Sequence, residues 1–334
     1  MKLLMWIFCL IIFVSHGEGE ETRQIGVRFV LDNMYQELFL KYHRNQSAYL
    51  DVYLQAFLNS VSLFFRDIKN PSLKFVLVGT YNMTVNDTFL ASKNNGSNEE
   101  LLYLLQDLGI RQNFPSDDLV FFLHPFPWPA PYEFNTSFFD GFCNARGYGF
   151  VHDNAKTFSG VTMAARQFAR LLGANADSIS GCPRSTYLMA NNISSSDMHT
   201  LSNCSKRAIE YKLQTIKNCS CLRTDSSLTV NSTYLPSDFL NGTDICTLQN
   251  ENYTFCDKPG TQHTQAFVLY CNVFCCEKGT NSPYLIIAPD GTKSKGCQLC
   301  LAGKCTNETT TSSGSTPEKA LWNVSPIKKK EASF

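Results

Sequence analysis

The chain has 334 residues, 43% hydrophobic, 17% charged and 13% aromatic, with Lys+Arg 29 against Asp+Glu 29. That apolar share excludes wholesale disorder, and the length allows two modest domains or one domain with appendages. A formal net charge of zero argues against a nucleic-acid binder, which normally presents a basic face.

Residues 1–17, MKLLMWIFCLIIFVSHG, join a basic start to an apolar run from Leu3 to Val14 and then small and polar residues. This is the pattern of a secretory signal, too short to span a membrane, with cleavage expected after Gly17 or, second, Gly19. No later stretch is long and apolar enough to span, so a secreted, extracellular protein without a membrane span is expected. Cysteine usage agrees: of 14 cysteines one, Cys9, lies in the leader and the other thirteen fall from Cys143 onward. Disulfides persist in the extracellular compartment. N-x-Ser/Thr sequons add a glycan coat, expected at Asn45, Asn82, Asn86, Asn95, Asn135, Asn192, Asn231, Asn241, Asn252, Asn307 and Asn323. The sequons at Asn203 and Asn218 contain Cys204 and Cys219, so disulfide formation competes with glycosylation there.

In chain order, Ile25–Phe39 reads as a strand running into a helix. Leu50–Ile68 carries apolar residues at helical spacing, Leu73–Met83 is a strand of β-branched and apolar residues, and Asn82–Asn98 is a loop. Asn98–Leu108 predicts a short helix, Asp117–Pro125 a buried strand, and the aromatic, Pro-rich Pro125–Phe134 a surface loop. This alternation predicts an α/β layer with a mainly parallel sheet. Phe158–Leu172 places Val161, Ala164, Ala165, Phe168, Ala169 and Leu172 on one helical face, with Gly173 where a C-cap glycine belongs. Ser202–Asn218 is a second helix with good capping residues at its start. Beyond Cys221 regular patterning fades into spaced cysteines, Gly, Pro and Asn up to Cys305, as in a disulfide-framed module. The end, from Thr306, is Thr/Ser-rich with a basic triplet and reads as disordered.

The helix at 158–173, with Cys182, Met189 and the segment SNCSKRAI at 202–209, resembles the reprolysin (adamalysin) metalloproteases, and among them the salivary enzymes of blood-feeding ticks. That family writes His-Glu-x-x-His-x-x-Gly-x-x-His-Asp on this helix and follows it with a methionine turn. Gly173 and Asp177 stand at the motif's glycine and terminal Asp, and Met189 at the turn. Cys143 lies 23 residues before Arg166, and Cys182, Cys204 and Cys221 lie 16, 38 and 55 after it. The resemblance implies a metzincin-like (zincin) catalytic-domain fold over residues 24–222, a mixed, mainly parallel sheet with a site helix, and the pairs Cys143–Cys221 and Cys182–Cys204. It further implies a small cysteine-rich module over 223–305, with a tail over 306–334. In that module Ala288–Cys305 is similar to an APDGTxC ending, with Ser294 in the first cysteine's place and Cys297 as its displaced substitute.

The family's chemistry is missing. The zinc-ligand positions hold Arg166, Arg170 and Ala176, and the general-base position holds Gln167. A guanidinium has no lone pair for zinc and a glutamine amide cannot take a proton from water. The other histidines after the leader, His43, His124, His152, His199 and His263, show no i, i+4 pair and no close spacing. No zinc and no other cofactor is therefore expected, although the family uses zinc. Two readings of the arginine pair stand side by side. Arg166 and Arg170 form a solvated or internally paired face, with Asp153 and Asp177 the nearest carboxylates, or they hold an anion such as a sulfated glycan. The expected function is that of a non-catalytic pseudoprotease binding an extracellular haemostatic, matrix or immune protein. The alternatives are a zinc metalloendopeptidase with an unrecognised ligand set, and a cysteine-rich binding module carried on a protease-like scaffold.

Overall fold

A computed structural model describes residues 22–43, 47–69, 71–84, 87, 97–125, 136–182, 187–190, 199–216, 219–222, 233–240, 245–249, 252–255, 268–269, 271–279, 283–293 and 298–306. The leader, the tail beyond Thr306 (which itself ends a strand), the loop before Asn135, Ser294, Cys297, His263 and ten of the sequon asparagines lie outside these residues. Asn82, Asn203 and Asn252 lie inside them, and all three are exposed.

The first half is α/β. Strand β1 (Thr22–Leu31) leads through the N-cap Asp32, whose side chain accepts the Tyr35 amide, into helix α1 (Asn33–Tyr42). Helix α2 (Leu50–Leu63) is buried over most of its circumference. It ends earlier than Ile68, because Phe64 to Asp67 turn back with bonds such as Phe64 N–H to Val61 O. Strand β2 (Ser72–Asn82), helix α3 (Asn98–Arg111, capped by Ser97) and strand β3 (Leu119–His124) follow. A further strand, β4 (Tyr148–His152), completes a sheet of order β2-β1-β3-β4, parallel throughout. Residues 136–138 run antiparallel beside β4: Phe150 N–H donates to Thr136 O, Phe138 N–H donates to Tyr148 O, and Ser137 stands opposite Gly149.

Helix α4 (Val161–Leu171) packs beneath this sheet. Phe168 fits edge-on between Phe75 of β2 and Phe121 of β3, with ring centroids 4.7 and 4.5 Å apart, and all three are fully buried. The helix ends as its sequence demands. Gly173 takes a φ of +89°, open to glycine at no steric cost, and Ala174 N–H reaches back to Ala169 O. Helix α5 (Asn203–Thr215) is capped by Ser202, whose hydroxyl accepts the Ser205 amide.

The second half is a smaller body with its own apolar cluster, in which Ile245, Val273 and Ala288 pack with Cys246, Cys271, Cys275 and Cys300. A short helix α6 (Ile245–Gln249) precedes an antiparallel sheet. Its central strand β7 (Asn272–Glu277) pairs with β5 (Tyr253–Phe255), β6 (Val268–Leu269) and β8 (Pro283–Ile287). A hairpin of β9 (Leu299–Leu301) and β10 (Lys304–Thr306) follows. Cys246–Cys275 and Cys271–Cys300 staple the sheet, and Cys276 and Cys305 are also disulfide-bonded. These strands have two to six residues, which is why strand patterning fades in the sequence. Among the described residues no helix is long and apolar enough to cross a membrane.

The two halves meet along α2 and the turns that follow it. Arg66 donates to Leu301 O at 3.0 Å and Asn59 to Tyr234 O at 2.9 Å. Gly291 follows β8 with a φ of +89°, and a Cβ there would sit 2.2 Å from Ser237 Oγ, so only glycine fits. At the same seam His199, 7% exposed, packs against Phe64 and Gly303. Burial first, then the charges of Lys304 and Arg66, lowers its pKa from 6.5 to about 4. The folded state thus binds this proton less readily than the unfolded chain. The resulting stability is fully present above pH 6.5 and is lost as the pH falls toward 4, a span worth about 3 kcal/mol. Asp290 acts in the opposite sense: burial raises its pKa to about 6, so its contribution grows as the pH falls below that value. The difference between wild type and His199→Gln isolates the histidine. Urea denaturation of the variant is expected to gain on wild type between pH 7 and pH 4, and parallel curves would remove His199 from the acid response.

Candidate functional site

Arg166, Gln167, Arg170 and Ala176, the positions that the resemblance aligns with zinc ligands and general base, fall on α4 and the turn that follows it. Gln167 is fully buried and Arg166 is 4% exposed, so the pair Arg166–Arg170 is not a solvated face. The spacing i, i+4 puts both on one side of the helix, and that side is covered by chain arriving from elsewhere.

Arg166 reaches the methionine turn. Its Nη1 donates to Leu188 O at 2.6 Å and to Ala190 O at 2.8 Å, and Met189 between them is buried. Burial chiefly lowers its pKa to about 10, with Asp177 opposing the drop and Arg170 adding to it, so the guanidinium stays charged at neutral pH. Arg170 turns the other way. Its Nε donates to Ser137 O at 3.1 Å, and its guanidinium lies 5.6 Å from the centroid of the Phe139 ring. Gln167 Oε1 accepts the Ser137 hydroxyl at 2.8 Å. Three consecutive functional positions of the motif are thus tied to backbone or hydroxyl groups on either side of the helix.

The nearest carboxylates in sequence are engaged in other ways. Asp177 accepts the hydroxyls of Ser202 and Ser205, and its amide donates to Met189 O at 3.0 Å. It therefore joins the end of the site segment to the methionine turn and the cap of α5. Asp153, with no exposed surface, accepts Tyr35 Oη (2.9 Å), Tyr53 Oη (3.1 Å), the Ala155 amide (3.1 Å) and the Gly160 amide (3.0 Å). Four bonds to one carboxylate also place a negative charge at the N-terminal end of α4, where the helix dipole favours it. Gly160 is needed there, because a Cβ would lie 2.4 Å from His152 O. Sequence proximity gives only part of the account: Arg166 feels the Asp177 charge, while its bonds to Leu188 O and Ala190 O reach carbonyls 22 and 24 residues away.

Two disulfides enclose the region, Cys143–Cys221 and Cys182–Cys204. They span 78 and 22 residues, and cross-links of such loops contribute about 2–4 kcal/mol through the unfolded state.

The described histidines are not assembled as ligands. His124 and His152 are scattered in sequence yet stand opposite one another on β3 and β4. His124 Nδ1 is 2.8 Å from Asp32 Oδ2, His152 Nε2 lies 2.9 Å from Pro125 O, and His43 Nε2 lies 3.1 Å from Ala155 O. Among the described residues no group of three or more His, Cys, Asp or Glu side chains is placed to hold a metal ion. The side chains on α4 and the turn after it do not fit zinc, since Arg166, Arg170 and Ala176 offer no lone pair. Sequence reasoning missed Ser137 and the carbonyls of Leu188 and Ala190, which carry no residue-type signal. It also missed the Asp153 network, whose one legible trace is an acidic residue ahead of the site helix.

No family model matches the chain, and no curated protein matches it. Among solved structures, one described as a chaperone–substrate complex is 12% identical, with a TM-score of 0.33 over 46% of this chain and 24% of that chain. The chain spans less than a quarter of that protein's length, and a likeness at this score carries no argument about fold or activity.

Proposed function

We infer that the chain is a secreted, non-catalytic glycoprotein on a reprolysin-type, metzincin-like scaffold, a pseudoprotease that acts by binding an extracellular protein. The observation that carries this reading is the guanidinium of Arg166, buried and bonded to Leu188 O and Ala190 O at a position where the family places a zinc-binding imidazole. It links the site helix to the methionine turn, as a metal tether would. The scaffold is supported by the parallel sheet with an antiparallel segment at its β4 edge, the helix ended by Gly173, and buried Met189 beneath it. Secretion is supported by the leader, the sequons and the disulfides. Because Arg166 and Arg170 both donate to backbone carbonyls, we read their face of α4 as internally paired rather than as an anion site. Partner binding is then expected on other surfaces, and a sulfated glycan has no support there.

Protein purified from a secreting host is expected to carry no stoichiometric zinc by elemental analysis and to leave gelatin, fibrinogen and casein intact. Chelator-sensitive proteolysis by a homogeneous preparation, lost in Gln167→Ala, would establish instead the metalloendopeptidase with an unrecognised ligand set.

A further inference from the structure

Away from α4's polar face, a cavity of about 360 Å³ opens in the seam between the two halves. Small-molecule sites run from about 300 to 1,000 Å³. Phe64, Phe158, Val161 and Ile286 form apolar walls, and His199 and Asp290 are its buried ionisable members.

Three features mark it as more than a packing fault. First, Phe158 has a φ of +58°, a conformation a bulky residue rarely adopts. It is held there by its amide bond to Tyr53 Oη at 3.1 Å and by stacking on the Tyr53 ring at 4.0 Å. Backbone strain fixed by surrounding structure clusters at ligand clamps. Second, Asp290 puts a carboxylate, 9% exposed, into this apolar lining, with one oxygen accepting the Ala302 amide. Third, Ser60 and the Ala302 amide favour its charged form, but among the described residues no cation forms an ion pair with it. Arg66 acts on it from a distance while donating to Leu301 O, Lys304 and Arg66 both act on His199, and His199 itself is kept neutral at physiological pH. The imidazole Nε2 is buried and has no hydrogen-bond partner among the described residues. An incompletely compensated anion among aromatic walls is complementary to a cation with a small apolar body.

We propose that the seam cavity binds a small organic amine, its ammonium paired with Asp290 and its apolar body against Phe64 and Phe158. The site is independent of the pseudoprotease reading, since it uses no residue of the degenerate motif. It also places a ligand where it touches both halves at once.

The test is calorimetric titration of the full-length secreted protein with 2-phenylethylamine, 2-phenylethanol and 3-phenylpropionate, three probes of similar size and different charge. The amine is expected to bind at least tenfold more tightly than the alcohol, and the carboxylate not at all. Asp290→Asn is expected to weaken the amine at least tenfold and leave the alcohol unchanged, and Ile286→Trp, which fills the cavity, to weaken both. Should Asp290→Asn fail to fold, the probe series and Ile286→Trp decide alone. Equal binding of amine and alcohol, amine binding unaffected by either folded variant, or no binding of the amine at millimolar concentration each overturns the proposal.

Discussion

Arg166→Ala is expected to lower the unfolding free energy by about 3–5 kcal/mol, the loss reserved for breaking a buried polar network. The truncation removes two bonds to Leu188 O and Ala190 O and leaves both carbonyls in a buried setting. A buried acceptor left without its donor costs about 1–3 kcal/mol, and the void left by the guanidinium adds to it. For a body of this size each kcal/mol lowers Tm by about 2–4 °C, so a fall near 10 °C is anticipated. Arg166→Lys separates charge from geometry. It keeps a cation near Asp177 but lacks the planar fork, so it should recover only part of the loss. Chemical denaturation of the three proteins decides the matter. A change below about 1 kcal/mol for Arg166→Ala would mean that the methionine turn is held without it.

Asp153→Ala should cost as much or more, about 4 kcal/mol. Its carboxylate collects Tyr35 from α1, Tyr53 from α2, and the amides of Ala155 and Gly160 ahead of α4. Three helices therefore share one acceptor. Both tyrosine hydroxyls have pKa values raised first by burial and next by the Asp153 charge, so each remains a donor well beyond physiological pH. Asp153→Asn keeps the shape but places an amide N–H₂ against donors and should fall between wild type and alanine. Equal stability of Asp153→Asn and wild type would show that the charge contributes nothing at the helix N-terminus.

Much of the fold was legible because local chemistry declares it. Asp32, Ser97 and Ser202 sit immediately before apolar-periodic runs and cap α1, α3 and α5. Gly173 marks the end of α4 in the same way. Strand β4 was illegible because Tyr148–His152 is five residues long and contains a glycine, giving no period to count. The early end of α2 was hidden because Phe64, Phe65 and Ile68 are as apolar as the helix itself and are buried in the turns that follow it. At the site, spacing told which face Arg166 and Arg170 share but not what covers that face. The covering groups are backbone carbonyls and one serine, and a carbonyl looks the same at every residue. The pairs Asp32–His124, Tyr35–Asp153 and Tyr53–Asp153, separated by 92, 118 and 100 residues, belong to the same class. They follow from topology, which a single sequence does not print.

The segment beside β4 has a colloidal consequence. Its bonds to Tyr148 and Phe150 come from Phe138 and Thr136, so the polar backbone groups of Ser137 point away from the sheet. An outward carbonyl on a sheet rim is a template on which a second chain can add as a strand. Here Arg170 already fills that acceptor and carries its charge over Phe139, which is 46% exposed. A neighbouring chain approaching this rim meets a cation laid across an aromatic ring rather than an open row of acceptors. Removing Arg170 would leave the Ser137 carbonyl, on a residue only 2% exposed, without this donor.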